Sequence, residues 1–313
     1  MATETQDDPD AGPLTRWVQS AIQRPENVYK SLFYVVTGFF LITTLFPFYW
    51  LLVLALTPLD KLSNFGFPPV PHGFNVEAFA TIFQQVPFHL FMFNSFVLAI
   101  LTTIFVLVIA SLAGYVFGRL EFPGRVPLML LILAISYFPP AAFLLPLFQL
   151  FTGNVEMVLF GMTIKSPVLY NTPWSMTLPF SALFLPLSIF ILTTFYGQIP
   201  DGLEDAARIE GTTRIGALFR VIIPLSAPGV ATAGVLTFIS VYNEFFFSFL
   251  MNSGAATDWA PLVGGILSFQ TQYQQLFNLM AAASIVGVLP AVILVVVAQE
   301  RIVSGLTAGA LKE

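Results

Sequence analysis

Six stretches of the chain are continuously apolar, and each is long enough to cross a lipid bilayer as an α-helix. One helical crossing needs about 20 predominantly apolar residues, whereas a transmembrane β-strand would alternate apolar and polar residues over about ten positions. Hydrophobic residues make up 57 % of the 313 residues and charged residues only 9 %, against roughly 25 % charged residues in a soluble domain. The sequence therefore predicts an all-α polytopic membrane protein. Its six predicted transmembrane helices are residues 31–57, 90–118, 126–151, 174–196, 227–251 and 276–298.

The polar ends of the chain are predicted to lie outside this membrane domain. Residues 1–30 are expected to form a partly disordered tail, and residues 300–313 a second tail after the six-helix domain of residues 31–299. The first apolar run is longer than a signal-peptide core of roughly 7–15 residues, so it is expected to be a retained span. The chain has no cysteine, and its two histidines, His72 and His89, are far apart and lack a carboxylate cluster, so no metal site is predicted.

The basic residues divide unevenly between two sets of loops. Ten of the twelve Lys and Arg residues lie before span one, between spans two and three, between spans four and five, or after span six. Only Lys61 and Lys165 lie in the other set of loops. Because cytoplasmic loops carry the excess of Lys and Arg, both termini are predicted to be cytoplasmic. The external segment 58–88 is predicted to contain a short interfacial helix.

Charge is concentrated in the cytoplasmic segment that follows span four. Residues 199–229 hold seven of the 29 charged residues of the chain. The pattern predicts a helix over residues 202–210, capped by the Asp201 carboxylate, with Glu204 completing a capping box. Gly211 suits the left-handed conformation that commonly ends a helix.

A second short helix, through Ile222, is predicted directly after this turn. The hydroxyl of Thr212 or Thr213 would cap its first amides, and Pro224, which has no amide hydrogen, would end it. Residues 199–226 would therefore form a loop of two short helices beneath the membrane.

Two adjacent alanines give this loop its first functional indication. Ala206 and Ala207 present almost no side chain, so another protein surface could approach the first helix closely. A helix that lies on the membrane is usually rich in Lys and Arg, but this loop has four acidic and three basic residues. The composition favours a docking element for a soluble protein, while an ordinary surface loop stays open as an alternative.

The spacing of the loop resembles that of a known family. Asp205-Ala206-Ala207 is followed by three residues, Gly211, nine residues and then Val221-Ile222-Ile223-Pro224. This resembles the signature loop of the membrane permease subunits of binding-protein-dependent ABC importers, which reads Glu-Ala-Ala, three residues, Gly, nine residues and Ile-x-Leu-Pro. The departures are Asp for Glu, Val for Ile and Ile for Leu, with a glutamate one position earlier at Glu204. By this resemblance, the residues expected to couple to an ATPase subunit are Glu204, Asp205, Ala206, Ala207, Gly211 and Pro224.

Two further segments are similar to the carbohydrate-type permeases of this family, related to the second maltose permease subunit. The first is "YVFGRLEFPGR", residues 115–125, between spans two and three. The second is the C-terminus, where the subgroup's Gly-Leu-Thr-x-Gly-x-x-Lys pattern is matched, although Glu313 replaces its closing glycine. The matching residues are Gly305, Leu306, Thr307, Gly309 and Lys312.

The resemblance implies the function and the partners of the chain. It implies import of a sugar or a related polyhydroxylated small-molecule solute across the plasma membrane of a prokaryote. The implied partners are a second permease subunit, two ATP-binding subunits and an extracytoplasmic solute-binding protein, besides membrane lipids; no nucleic acid is expected. A phosphate-binding Walker A loop needs Gly-Lys-Ser/Thr, which the chain lacks. The chain is therefore expected to be no enzyme and to carry no cofactor, with ATP and Mg²⁺ bound by the partner subunits.

Glu244 is the only ionisable residue well inside an apolar run. Intramembrane acids are costly and usually face a cavity or a partner. Together with Tyr242 and Asn243 it is therefore a candidate for the translocation pathway, and a purely structural bond between helices is the alternative. Aromatic residues that could stack on sugar rings are Tyr137, Phe138, Tyr242 and Phe245.

Two other functions stay open. A secondary transporter that works alone would use intramembrane ionisable residues for ion coupling, and this chain offers only one. An ABC permease for a polyamine, a peptide or glycerol phosphate is the other, since Glu244 would suit a cationic solute. The segment 115–125 and the C-terminal pattern favour a sugar over both.

Overall fold

The chain is built almost entirely of α-helices. A computed structural model describes residues 12, 25–65, 69–160, 162–271 and 274–308. Short 3₁₀ turns cover Pro140–Phe143 and Ala256–Asp258, and a two-stranded sheet is formed by β1 (Glu156–Leu159) and β2 (Met162–Lys165). The helices are α1 (Pro25–Leu56), α2 (Leu59–Phe65), α3 (Ala78–Gln85), α4 (Phe88–Arg119), α5 (Arg125–Ile135), α6 (Leu144–Phe151), α7 (Pro173–Tyr196), α8 (Asp201–Ile209), α9 (Arg214–Leu225), α10 (Ala227–Tyr242), α11 (Phe246–Leu250), α12 (Leu262–Leu267) and α13 (Phe277–Ala308).

Four of these helices, α1, α4, α7 and α13, are long and apolar enough to cross a membrane. The shortest of them, α7, has 24 residues, and at about 1.5 Å per residue it is longer than the roughly 30 Å hydrocarbon core. The helices predicted for spans one, two, four and six are therefore confirmed as helices. Two further pairs of consecutive helices are bent where they join, and each pair is long and apolar enough when taken together. If each pair counts as one crossing, the number of candidate crossings is six.

The third predicted span is not one helix. α5 ends at Ile135, and the segment Pro140–Phe151 continues at 82° to it. The cause is a pair of prolines: Pro139 has an extended backbone, with ψ of 121°, because a residue that precedes proline is excluded from the helical region. The prediction of a single helix over residues 126–151 is wrong.

The fifth predicted span is also interrupted. α10 ends at Tyr242, and a short helix, α11, begins at Phe246 after a break at residues 243–245. At its other end α10 meets α9 at 84°. The prediction of a single helix over residues 227–251 is therefore wrong, and the cause is the Glu244 side chain, whose bonds are described with the site.

Close packing joins α4 to α7. The sequence contains a Gly-x-x-x-Gly pair in α4, Gly114 and Gly118, which is expected to permit close helix contact. A Cβ atom built on Gly114 would lie 2.9 Å from the Cβ of Leu192, and one on Gly118 would lie 3.0 Å from the carbonyl oxygen of Thr193. Glycine is needed at these two positions because the backbone of α7 occupies the space of a side chain.

The segments that join the long helices include a predicted short helix and an unpredicted hairpin. The short helix expected within residues 58–88 is present as α3, whose Ile82 is fully buried. The hairpin β1–β2 was not expected, but its two strands of four residues each leave the chain mostly helical, in agreement with the all-α prediction. Its strands pair antiparallel from Glu156 with Lys165 to Leu159 with Met162. The two-residue loop between them places Phe160 at a positive φ of 49°, as hairpin turns of this length require.

Candidate functional site

The charged loop 199–226 begins with α8, whose start differs from the prediction. Pro200 is the N-cap residue, and no side chain at this position caps the helix. The predicted capping box of Asp201 and Glu204 is therefore wrong. Both carboxylates are turned towards the C-terminal end of α4, where Arg119 supplies their positive partner.

Arg119 is a buried cation shared by the loop and α4, since its side chain is only 4 % exposed. Its Nε lies 3.0 Å from Glu204 Oε2, and one of its terminal nitrogens lies 2.9 Å from Asp201 Oδ1 and 2.6 Å from the carbonyl oxygen of Ile199. The other oxygen of Glu204 accepts a hydrogen bond from the Tyr115 hydroxyl. We call Tyr115, Arg119, Asp201 and Glu204 the Arg119 cluster.

The opposite side of α8 is free of such bonds to α4. Asp205, Ala206 and Ile209 are exposed, and positions three and four apart share one helix face. Ile209, the last residue of α8, is 87 % exposed. The signature motif did not decide whether Glu204 or Asp205 is the acid that faces a partner. In the structure Asp205 faces outward and Glu204 faces the chain's own interior.

The turn between α8 and α9 has the predicted geometry. Gly211 has a φ of +91°, and a Cβ atom built there would meet nothing within 4 Å, so the constraint is in the backbone alone. The hydroxyl of Thr213 accepts a hydrogen bond from the amide of Gly216 at 3.1 Å, which confirms the predicted cap. The second helix runs to Leu225 and so passes the predicted stop at Pro224, because the fixed φ of proline is itself helical.

α9 also exposes apolar side chains next to this turn. Ile215 is 62 % exposed and Phe219 is 53 % exposed, while Leu218 and Ile222 of the π-helical segment Leu218–Ile222 are buried. The loop therefore exposes large apolar groups on both of its helices, and the small residue Ala206 is exposed on the first. Such a surface suits a protein partner better than water.

The two interrupted spans meet at a cavity of about 270 Å³. Ser136 and Phe138 reach it from the break in the third span, and Phe247 reaches it from α11. α7 completes the wall with Leu178 and Pro179. The structure thus brings Phe138, one of the aromatic candidates, to a cavity between the breaks, while Tyr137 is 89 % exposed.

Glu244 caps the short helix α11. Its carboxylate accepts hydrogen bonds from the amides of Phe246, Phe247 and Ser248 at 2.7, 3.1 and 3.2 Å. These amides are the orphan donors at the start of a helix, and they explain why the chain begins a new helix here. All three partners lie within four residues of Glu244, so the bonds are local rather than between distant helices.

Tyr242 and Asn243 are placed differently from each other. The Tyr242 hydroxyl donates to the carbonyl oxygen of Gly287 at 2.8 Å and its ring stacks on Phe238, so it joins α10 to α13. Asn243 is exposed and donates to the carbonyl oxygen of Ile239 at 2.9 Å. Both residues line a second cavity, of about 470 Å³, between α1, α10, α12 and α13.

A comparison of the sequence with protein families identifies this arrangement. Residues 110–307 match the family described as "Binding-protein-dependent transport system inner membrane component". The chain belongs to this family.

Full-length relatives of this permease agree with the family match. It is 38 % identical over 283 residues to the sulfoquinovosyl glycerol transport system permease protein SmoH of Agrobacterium fabrum, covering 90 % of this chain and 94 % of the relative. It is 33 % identical over 291 residues to the trehalose/maltose transport system permease protein MalG of Thermococcus litoralis, covering 92 % and 99 % of the two chains.

A solved structure shares the fold of the permease. A chain of the bacterial ABC transporter involved in the import of the acidic polysaccharide alginate superposes with a TM-score of 0.67 at 17 % identity, covering 88 % of this chain and 97 % of that one. The described part of the permease therefore shares the fold of that chain.

Some candidate residues of the permease lie at or beyond the limits of the described chain. Gly305, Leu306 and Thr307 belong to the last turns of α13. Gly309, Lys312 and residues 1–11 and 13–24 of the predicted N-terminal tail lie outside the described residues.

Sequence reasoning missed Tyr115 and Arg119 as functional candidates, although both lie in the segment that resembled the family. A single arginine at the end of a long apolar helix was the available signal. This arginine indicates a particular role only once the fold shows that it lies beside Glu204.

Proposed function

We propose that this permease is one of the two membrane subunits of an ATP-driven importer for a sugar or a related polyhydroxylated solute. The observation that carries the proposal is the outward face of α8, with Asp205, Ala206 and Ile209 exposed in a loop of the family's spacing. The substrate class is supported by relatives named for sulfoquinovosyl glycerol and for trehalose and maltose transport, since both names denote polyhydroxylated solutes.

The proposed partners are a second permease subunit, two ATP-binding subunits and an extracytoplasmic solute-binding protein. ATP and Mg²⁺ are bound and ATP is hydrolysed on the ATP-binding subunits, because this chain lacks a Walker A sequence. A related structure includes a periplasmic protein with bound alginate pentasaccharide, which supports a solute-binding partner on the external side. The permease itself performs no covalent chemistry.

The coupling surface is the outward face of the loop 199–226. Ala206 and Ala207 permit close approach, Asp205 offers a charge at the rim, and Ile209 offers an apolar side chain for burial. Gly211 and Pro224 shape the backbone that holds these residues in place. Closure of the ATP-binding pair displaces this loop, and the spans then open the pathway to the external side.

The proposed topology has six spans with both termini in the cytoplasm of a prokaryote. Each interrupted span counts as one crossing, so that the hairpin β1–β2 lies outside and the loop 199–226 lies inside. The uneven distribution of Lys and Arg supports this orientation. The family description as an inner membrane component supports the plasma membrane.

The solute pathway is proposed to pass beside the two breaks, at residues 136–139 and 243–245. Non-helical backbone at membrane depth is tolerated where it is buried in protein or lines a water-filled cavity, and interrupted helices commonly form transporter binding sites. Phe138 and Asn243 are the residues we place along the pathway. Tyr242 and Glu244 are placed behind it, because their polar groups already bind the chain's own backbone.

The two other functions gain no support from this geometry. A transporter that works alone needed Glu244 as an ion-coupling group, and a cationic solute needed the same carboxylate. Three amides already bind that carboxylate. The sugar importer therefore remains the function that the site supports best.

Reconstitution tests the proposal directly. The permease is expressed with the neighbouring transport subunits of its native host, purified and placed in lipid vesicles with the solute-binding protein. We expect the ATP-binding subunits to co-purify and sugar uptake to require ATP. Uptake by the permease alone, without any ATP-binding subunit, would contradict the proposal.

A further inference from the structure

We propose that Arg119 and Glu204 are positioning residues that join the coupling helix α8 to α4, so that a displacement of α8 moves α4 and α7 together. The inference rests on the proposed function and assigns a role to a buried cluster that faces away from the docking surface. Among the described residues of the loop, Glu204 is the buried acid and Asp205 is its exposed neighbour. Two adjacent acids would thus have two different tasks.

The Arg119 cluster fixes the orientation of α8 as well as its distance from α4. The guanidinium group is planar and presents its donors in a fixed geometry. Arg119 binds one oxygen of Glu204 through Nε, and Tyr115, one helical turn earlier, binds the other. Two points on α4 therefore hold a single carboxylate, and rotation of α8 would break one of the two bonds.

The same guanidinium group also binds the chain just before α8. Arg119 donates to the carbonyl oxygen of Ile199 at 2.6 Å and pairs with Asp201, whose side chain is 89 % exposed. The exposed pair is expected to contribute little, because water screens it. The buried bonds to Glu204 and Ile199 therefore carry most of the connection.

α4 passes the displacement on to α7 through its glycines. Gly114 and Gly118 immediately precede Tyr115 and Arg119 in sequence, and both are in contact with the α7 backbone near Thr193. A pair of helices packed this closely moves as one body more easily than it separates. α7 then continues to Leu178 and Pro179 in the wall of the 270 Å³ cavity. A contiguous set of packed groups thus connects the coupling helix to the cavity between the interrupted spans.

A purely stabilising role would make a different prediction. A buried ion pair is weak evidence for stability, since an apolar pair of similar volume often stabilises a protein as well. If the cluster only stabilises, Arg119→Met/Glu204→Leu should leave both folding and transport intact. If the cluster transmits motion, the same double variant should fold but couple poorly, because apolar side chains fix no orientation.

The test uses the complete importer in lipid vesicles, with uptake and ATP hydrolysis measured on the same sample. For Glu204→Gln we expect the ATP-binding subunits to remain bound and the amount of solute imported per ATP hydrolysed to fall by about 5-fold or more, the lower end of typical coupling between sites. Glu121→Gln is the matched control, the same change at an exposed position two residues after Arg119, and should leave this ratio unchanged. The double variant Arg119→Met/Glu204→Leu should still assemble with the ATP-binding subunits and lose coupling.

An unchanged ratio of solute to ATP in Glu204→Gln, or normal coupling in the apolar double variant, would overturn the inference. If Glu204→Gln does not assemble, Tyr115→Phe decides: a lowered ratio supports transmission through the cluster, and an unchanged ratio overturns it. Failure of the proposed function has a separate signature, because the wild-type complex would then show no ATP-dependent uptake. Failure of this inference leaves wild-type uptake intact.

Discussion

The turn at Gly211 offers a perturbation whose effect can be worked out from the backbone alone. Gly211 has a φ of +91°, and nothing lies within 4 Å of a Cβ atom built there. The Cβ atom of a substituted residue would therefore meet no steric neighbour, and the expected cost comes from the left-handed backbone. Gly211→Val should change the angle between α8 and α9 without disturbing the spans.

The expected cost of Gly211→Val is about 1–3 kcal/mol, the usual range for a non-glycine residue in a sparsely populated backbone region. Valine should lie at the upper end because it is β-branched, and Gly211→Asn at the lower end because asparagine tolerates the left-handed region. A cost of 1.4 kcal/mol changes an equilibrium about tenfold, so the native turn should lose a large share of its population.

The assay measures how much ATP-binding subunit co-purifies with each variant and how fast the reconstituted complex imports solute. Both should fall in the order wild type, Gly211→Asn, Gly211→Val, with unchanged insertion in the membrane. Gly254→Val is the matched control, because Gly254 has a similar φ of +85° and equally open space but lies in the loop after α11, outside the segment 199–226. Gly254→Val should leave the ATP-binding subunit bound. Normal binding and transport in Gly211→Val would refute the reasoning.

Three further predictions concern other parts of the permease. Glu244→Gln should lower the melting temperature, since hydrogen bonds to a charged group contribute about 1.5–3 kcal/mol. It should leave the affinity for solute in the uptake assay nearly unchanged. Altered affinity with unaltered stability would place the carboxylate in the pathway. Gly114→Leu should destabilise the α4–α7 contact by about 1–3 kcal/mol through overpacking, and a melting curve like that of the wild type would contradict the close approach. A single cysteine at Ser253 should react with an impermeant thiol reagent added outside intact cells. A single cysteine at Thr213 should react only after permeabilisation, and the reverse labelling pattern would invert the proposed topology.

The long helices could be predicted because the requirement of the bilayer is local. A continuous apolar run of the right length needs no information from distant residues, and α1, α4, α7 and α13 follow it closely. The break after α5 also has a local signal, the adjacent Pro139 and Pro140, which hydropathy alone does not register. The break at Glu244 has a weaker signal in the sequence. It depends on the Glu244 side chain turning back to accept hydrogen bonds from the amides that follow it.

The roles of the two acids in α8 could not be predicted from their sequence. Glu204 and Asp205 are adjacent, and the family spacing fits either as the acid that faces a partner. Their difference arises from Arg119, 85 residues before Glu204, which the α4–α7 packing brings beneath the helix. The hairpin β1–β2 was missed for another reason: Val158, Thr163 and Ile164 are β-branched and suit strands, but each run is short and no Asn-Gly or Asp-Gly pair marks the turn between them.

Cross-linking from Ala206 tests most directly whether α8 docks on an ATP-binding subunit. The chain has no cysteine, so Ala206→Cys provides one reactive thiol on the exposed face of the coupling helix, and Ser253→Cys provides the external control. In the assembled, transporting complex we expect a short thiol-directed cross-linker to join Ala206→Cys to the ATP-binding subunit, with a yield that changes when ATP is bound, and to give no such product from Ser253→Cys. A complex that imports solute with ATP but yields no cross-link from Ala206→Cys would contradict the assignment of α8 as the coupling element.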